Sequence, residues 1–399
     1  MNPPPIPENE MDRIIDLSDY DLDYSSLNEN FKDLAKLAAK IAGTSISLVN
    51  LIDSFTQWSI SNYGIDIDQM PREEAVCQYT IMGDDFFEIE DLAADSRFKD
   101  RPYVVSAPNL RYYYGVPLKS ENGNNLGALC VMDKNVREIN PEKMEMLKII
   151  ADEIVNRLKT YKAIDSLRGK LHEANETKKK VAHDIRGPLG GIIGLAQVIS
   201  EQGRENQIDE VLEFINLIHK SGRSILDLAD EILSADKPQA LRADEFNLNI
   251  FKDKLEKLYT PQALNKNISF IVNITPVSAT VPFSKNKLLQ ITGNLISNAL
   301  KFTPQNGKVT VDLNLKVDKG QRNHLRIKVT DTGVGLDKGA IDKLLKGTAT
   351  STDGTGGEQG YGFGMSLVKK LIDSLHGNMH IYSEPGHGAT FEVNLPQAL

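Results

Sequence analysis

Cysteine is nearly absent, with two residues, Cys77 and Cys130, in 399. Two cysteines cannot build a disulfide framework, so both are expected as buried apolar thiols in a reducing cytoplasm. No stretch approaches the 18 or more uncharged apolar residues of a transmembrane helix, and membrane insertion is not expected. The first residues, MNPPPIPENEMD, lack the basic and apolar regions of a signal peptide. Positive charge is also short: 46 Lys and Arg against 55 Asp and Glu give a net charge of −9. That balance argues against nucleic acid or an anionic membrane as the main partner. What remains, 40% hydrophobic and 25% charged residues, describes a soluble cytoplasmic chain. Its length calls for two or three domains.

Residues 1–20 are proline-rich and acidic and read as a disordered tail. Apolar residues then recur at helical spacing from Asn28 to Ile41 (Phe31, Leu34, Leu37, Ala38) and stop at Gly43. Strand-like runs follow at 45–52, 56–63, 110–118 and 125–132, with a helix expected over 73–82 and an Asn122-Gly123 turn before the last run. This mixture makes 21–140 one α+β domain. Trp58 and Tyr112–Tyr114 read as core rather than pocket lining. The segments VCQYTI (76–81), DLAADSRFKDRPYV (91–104), 110–118 and LGALCVMD (126–133) resemble a GAF domain. The resemblance implies a sensor and leaves its small-molecule ligand open, since GAF domains bind cyclic nucleotides, bilins, haem or nothing known. Cys77 precedes Gln78 and Cys130 precedes Val131, so the Cys-His pair of bilin-binding relatives is missing.

From Pro141 the chain reads as helix without interruption to about Leu195. Ile164, Leu167, Leu171, Ala174, Val181 and Ile185 make a coiled-coil seam, whereas Ile150, Ile154, Leu158 and Tyr161 step differently. The phase therefore shifts near Ala163, and 141–180 is read as a signalling helix. The stretch Val181–Leu195, VAHDIRGPLGGIIGL, is a poor helix on paper. Four glycines and Pro188 cost roughly 7 kcal/mol against alanine, which calls for a functional offset. His183 falls on the outer side of the seam. Asp184 can accept a hydrogen bond from one imidazole nitrogen and leave the other nucleophilic. A second heptad stripe, Val211 to Ile232, makes 181–236 a hairpin, and two hairpins from a homodimer make a four-helix bundle. Residues 237–244 read as a hinge.

Residues 245–399 read as an α/β domain with helices on one face. One helix carries Asn294, Asn298 and Lys301 at i, i+4 and i+7, all on one stripe. The next strands end in DTGVGL (331–336), and a glycine-rich stretch (347–364) precedes another helix. A nucleotide would find here what it needs. Asp331 can accept from an adenine amino group, Asn298 can give an oxygen to a hard cation, and Lys301 can meet a phosphate. Gly360, Gly362 and Gly364 clear space at a helix N-terminus.

These elements resemble sensor histidine kinases of two-component systems. NLISNALKF looks like the N box, DTGVGL the G1 box, GYGFGMSL the G2 box, and HDIRGPL the H box. The resemblance implies a multidomain protein: a GAF domain, an all-α dimeric hairpin and a Bergerat-type ATP-binding domain. It implies autophosphorylation of His183 from Mg2+-ATP, helped by Asp184, and transfer to an aspartate of a response-regulator receiver domain. It implies Asn298 as metal ligand, Asp331 as the adenine-reading carboxylate supported by Thr390, and Asn294, Lys301, Phe302, Gly333 and Gly335 as nucleotide contacts. The chain departs from the pattern in two places. Leu344–Leu345 stand where many relatives have phenylalanines, and Gly187, four residues after the histidine, stands where a Thr or Asn often orients water. Weak phosphatase activity is expected. ATPases of the same fold place a glutamate base four residues before the metal-binding asparagine. Asn294 holds that position and cannot take a proton, which favours phosphoryl transfer over hydrolysis. The remaining alternative, a ligand-binding module on a dead scaffold, is disfavoured by the retained motif residues.

Overall fold

The computed structural model describes residues 5–203, 207–234, 245–317, 323–346, 354–355 and 362–397; side chains of 26, 165–166, 168–184 and 227–234 are outside the description. The chain divides into two compact units. Met1–Ala163 together with Glu245–Gln397 form one, and Ile164–Asp244 form the other.

The N-terminal domain opens with α1 (Glu10–Ser18), so the expectation of a disordered tail over 1–20 fails from Glu10 onward. Composition misled because the helix buries charge as a matched set. The Glu10 carboxylate accepts from Arg13 Nε at 2.8 Å and Arg72 Nη1 at 2.5 Å, with all three side chains fully buried. Burial alone would raise the Glu10 carboxyl; hydrogen bonds and charge from Arg13, then Arg72, outweigh it and hold it below the usual range. Ile14 and Leu17, also buried, complete the inner face.

Helix α2 (Asn28–Ala42) buries Phe31, Leu34, Ala35 and Ala38 and stops at Gly43, whose φ of 78° is the left-handed C-cap. There follow β1 (Ile46–Ile52), β2 (Thr56–Tyr63), β3 (Gln69–Pro71), α3 (Cys77–Thr80), β4 (Phe87–Ile89), α4 (Pro102–Val105), β5 (Tyr112–Lys119) and β6 (Asn125–Asp133). The strands form one antiparallel sheet in the order β3-β2-β1-β6-β5-β4. Both faces are covered. Val49, Leu51, Tyr112 and Tyr114 face α2, while Leu48, Tyr113 and Cys130 face Cys77, Val76 and Phe98. Double burial explains why β1, β5 and β6 read as largely continuous apolar runs rather than alternation. The helix expected over 73–82 shrinks to α3, preceded by a 3-10 turn at Arg72–Glu74. Both cysteines are free and buried, as expected; Asn50 Nδ2 donates to Cys77 Sγ at 3.2 Å and Cys130 Sγ at 3.5 Å.

Helix α5 (Pro141–Gln202) runs unbroken through 62 residues with Pro188 inside, and α6 (Ile208–Ser234) follows. The first turns of α5 are not coiled coil. Leu147, Ile150, Ile154 and Leu158 are buried in the same core as α2 and the sheet. The phase change near Ala163 coincides with the end of packing on that core and with the boundary between units. The hinge read over 237–244 lies outside the described residues. Among those described, no helix is long and apolar enough to cross a membrane.

The C-terminal domain contains β7 (Glu245–Phe246), α7 (Leu248–Asn265), β8 (Ser269–Ile274), β9 (Phe283–Ser284), α8 (Leu288–Phe302), β10 (Lys308–Lys316), β11 (Asn323–Asp331), α9 (Lys338–Leu345), α10 (Phe363–Ser374), β12 (Asn378–Ser383) and β13 (Ala389–Gln397). Its main sheet runs β12-β13-β11-β10-β8, with β8 and β10 parallel and the other pairs antiparallel. Alternate residues of the central strands, such as Val309, Val311, Leu325, Ile327, Val393 and Leu395, are buried with α7, α8 and α10 in one core. The one-sided alternation in the sequence follows from this arrangement. Ser284 ends β9, and α8 starts at Leu288 after Lys287 at a φ of 59°.

Candidate functional site: a nucleotide cradle and a phospho-acceptor helix

Helix α8 buries Leu288, Ile291, Leu295 and Ala299 toward the sheet. Its polar stripe does not face open water as the 3.6-residue period alone would allow. Asn294 is 7% and Lys301 6% exposed, and Asn298 is half-buried. The Asn294 amide nitrogen donates to the Gln290 carbonyl at 2.9 Å. Asn294 Oδ1 and Asn298 Nδ2 are buried with no hydrogen-bond partner among the described residues. An unsatisfied buried polar group costs about 1–3 kcal/mol, so a pair of them one helical turn apart is a place prepared for a polar ligand. The end of the same helix is fixed by Lys266, whose Nζ donates to the Leu300 and Lys301 carbonyls at 3.0 and 2.7 Å. Lys301 Nζ lies 4.8 Å from the centre of the Phe302 ring.

Asp331 ends β11 and is 5% exposed. Its Oδ1 accepts from the Gly333 and Ala389 amides at 2.8 and 3.2 Å. Burial raises the carboxyl above its ordinary value, and those two amide donations offset the rise only in part. Gly333 is required by space, because a Cβ there would sit 2.4 Å from the Phe302 carbonyl oxygen and 2.8 Å from Asp331 Oδ1. Gly335 is required by conformation as well, with a φ of 70° and the Glu384 carbonyl 2.1 Å from a Cβ. Thr390 Oγ1 lies 3.1 Å from Thr330 Oγ1, across the register that pairs these two residues. At the other end, Gly364 opens α10, and a Cβ on it would fall 2.8 Å from Asn294 Oδ1. Gly362 precedes the helix at a φ of 78°, and Gly360 is outside the described residues.

The fold thus gathers the expected residues into two groups. Asp331, Gly333, Phe302, Lys301 and Thr390 are grouped where β11, β13 and the end of α8 meet. Asn294, Asn298 and Gly364 are grouped where α8 meets the start of α10. Lys266 and the Ala389 amide were not read from the sequence. A backbone donor has no side-chain signature, but the uncapped carbonyls ending α8 could have prompted a search for a lysine. Leu344, one of the leucines at the phenylalanine positions, packs on the domain core.

The backbone of α5 carries His183 and Asp184, whose side chains are outside the description. A Cβ on Gly187, Gly190 or Gly194 would meet nothing within 4 Å, and one on Gly191 would meet Ser221 Oγ at 3.9 Å. Packing among the described residues therefore demands none of these glycines. Leu189, Ile193, Ile208, Leu212, Ile215 and Leu226 are large, apolar and exposed on α5 and α6.

Residues 178–241 match the His Kinase A (phospho-acceptor) domain family. Residues 284–399 match the family of histidine kinase-, DNA gyrase B- and HSP90-like ATPases. The chain carries the two domains of an ATP-dependent histidine kinase. Among curated proteins, the chain is similar to the autoinducer 2 sensor kinase/phosphatase LuxQ of Vibrio vulnificus, 32% identical over 54% of this chain and 26% of that protein. Hybrid signal transduction histidine kinase B of Dictyostelium discoideum is 28% identical over 64% of the chain and 13% of its own length. A cyclic di-GMP phosphodiesterase of Pseudomonas aeruginosa is 35% identical over 41% of the chain and 28% of its own. The chain therefore spans about a quarter or less of these relatives. Its ATPase family implies ATP binding.

Proposed function

We propose that this chain is a sensor histidine kinase that phosphorylates His183 from Mg2+-ATP and passes the group to an aspartate on a response-regulator receiver domain. The observation that carries the reading is the pair of unpartnered buried side-chain atoms, Asn294 Oδ1 and Asn298 Nδ2, with Gly364 beside Asn294 Oδ1. Bound Mg2+-ATP would supply the transferable phosphoryl group and the cation that neutralises its charge. Asn298 would hold the cation through its side-chain amide oxygen. Asp331 reads the adenine amino group with the carboxylate oxygen not engaged by Gly333 and Ala389, and Thr390 stands beside it. Lys301 meets a phosphate, with Phe302 beneath it. Gly333, Gly335, Gly360, Gly362 and Gly364 let backbone approach the nucleotide. Asn294 cannot act as a general base for water, which favours transfer to protein. His183 is the acceptor, and Asp184 orients its imidazole and stabilises the imidazolium form.

Residues 21–140 act as a GAF-type sensor, a reading supported by the six-stranded antiparallel sheet with α2 across it. The hairpin 181–236 pairs in a homodimer, for which the exposed apolar residues on α5 and α6 are the surface. The domain 245–399 delivers the nucleotide across 237–244. Gly187 offers no side chain to orient water, so phosphatase activity is weak. The test is incubation with γ-labelled ATP and Mg2+. Acid-labile, base-stable label is expected on the wild type and none on His183→Gln; equal labelling of both refutes the assignment.

A further inference from the structure

The compact unit formed by 1–163 and 245–397 joins the N-terminal domain directly to the nucleotide cradle. Ile14 and Trp58 are buried in the same core as α7, α8 and α10. Trp58 stacks on Tyr24 at 5.1 Å and meets Tyr259 edge-on at 6.0 Å, while the Tyr259 hydroxyl fills the space above Gly293 on α8. Polar contacts surround this stack. Lys287 Nζ pairs with Asp19 at 2.6 Å, and Lys254 pairs with Asp23. Gln290 donates to the Ser18 carbonyl at 3.0 Å, and Gln69 to the Leu258 carbonyl at 2.9 Å.

At one edge of this contact, Phe55 on the β1–β2 turn reaches α10. Its Cε2 lies 2.6 Å from where a Cβ on Gly364 would stand, beside Asn294 Oδ1. The turn is rigidly built. Asp53 Oδ1 accepts from the amides of Phe55 and Thr56 at 2.9 and 3.0 Å, and Asp53 Oδ2 from Trp58 Nε1 at 2.7 Å. From behind, Arg72 donates to the Asp53 carbonyl at 2.9 Å and Arg13 to the Ile52 carbonyl at 2.6 Å. These are the arginines that share buried Glu10. A buried charged triad is an expensive way to hold a hairpin tip, and a residue placed with that much support is a positioned one.

We propose that the N-terminal domain restrains the ATP-binding domain in cis, with Phe55 as a stop on the phosphate end of the cradle that must withdraw before nucleotide seats fully. The inference rests on the reading of Gly364 and Asn294 as nucleotide contacts. The start of α10 is the anion-binding end of that helix, and an aromatic ring over its bare backbone occupies the approach. This route of control is separate from the helix α5. It acts by direct contact, and a sensor-domain stimulus that moves the β1–β2 turn releases it.

The test is a fluorescence titration of the full chain with Mg2+ and ATP carrying an N-methylanthraniloyl group. Phe55 is half-buried, so Phe55→Ala is expected to keep the wild-type circular dichroism and cooperative melting. If the released form is about one molecule in ten, Phe55→Ala tightens apparent affinity about tenfold. Asp19→Lys, which sets like charges at Lys287, also tightens it, and the exchanged pair Asp19→Lys with Lys287→Asp returns it toward wild type. Unchanged or weaker affinity in Phe55→Ala overturns the stop, whatever Asp19→Lys does. The nucleotide reading itself fails differently: wild type and Phe55→Ala both bind no nucleotide, or Asp331→Asn binds as tightly as wild type, and the stop falls with it.

Discussion

Replacing Glu10 with Ala tests whether the N-terminal segment is part of the folded core. Glu10, Arg13 and Arg72 are all fully buried, and the carboxylate takes hydrogen bonds from both guanidiniums. Removing it leaves two buried positive charges facing each other across a void. Breaking a buried pair in this way costs about 3–5 kcal/mol, because the orphaned charge keeps its desolvation penalty. The exposed pair Lys32–Glu29, at 59% and 80% exposure, provides the contrast and is worth about 0–1 kcal/mol. Urea unfolding followed by fluorescence of Trp58, the chain's single tryptophan, reports on this unit. With a slope of roughly 2–3 kcal/mol per molar, the midpoint of Glu10→Ala falls by on the order of 1–2 M, while Glu29→Ala barely moves. The sign with pH follows from the lowered Glu10 carboxyl. Its contribution is present above the ordinary carboxylate range and is lost as pH falls through the depressed folded value. Glu10→Ala therefore flattens the acid limb of the stability curve. A midpoint indistinguishable from wild type, with an unchanged acid limb, would refute the buried triad.

Other expected outcomes follow from the cradle and the helix. Because burial raises the Asp331 carboxyl, ionising it at neutral pH works against the nucleotide-free fold, and that penalty disappears as pH falls through the raised value. Asp331→Asn should thus melt slightly higher than wild type at neutral pH without nucleotide, yet lose ATP affinity by calorimetry; a lower melt with affinity intact contradicts the assignment. Gly187 has open space where a Cβ would go, so Gly187→Thr should fold and speed dephosphorylation of phosphorylated regulator in the presence of ADP, where wild type does little. Fast release by the wild type would show that Gly187 does not limit the reaction. Inserting one residue after Ala163 rotates everything beyond it by about 100° at 3.6 residues per turn. Autophosphorylation should change markedly, and an unchanged rate would argue against rigid coupling through α5.

Much of the candidate cradle was legible because side-chain types at fixed spacing mark it. Asn298, Asp331 and the glycines each leave a mark in a linear string. The one-sided sheet at 308–331 was legible for the same reason, as alternation of apolar residues. Three features were not. Helix α1 hid behind its charge, since nothing in a linear reading says that Glu10 will meet Arg72 across 62 positions. The opening turns of α5 looked like a coil out of phase because periodicity shows which face is apolar, not what covers it. The burial of Asn294 and Lys301 on a stripe that looked solvent-facing depends on elements distant in the sequence. The contact of Phe55 with Gly364 belongs to this last kind.

The central claim concerns where the γ-phosphoryl group of ATP goes, since the same nucleotide fold serves both transfer and hydrolysis. The direct measurement follows γ-labelled ATP with Mg2+, counting label on the protein and free phosphate together and mapping the modified residue by mass spectrometry at neutral pH. Label should accumulate on His183 at a rate matching ATP consumption, with little free phosphate. Steady phosphate release without label on His183 would contradict the account and make the protein an ATPase.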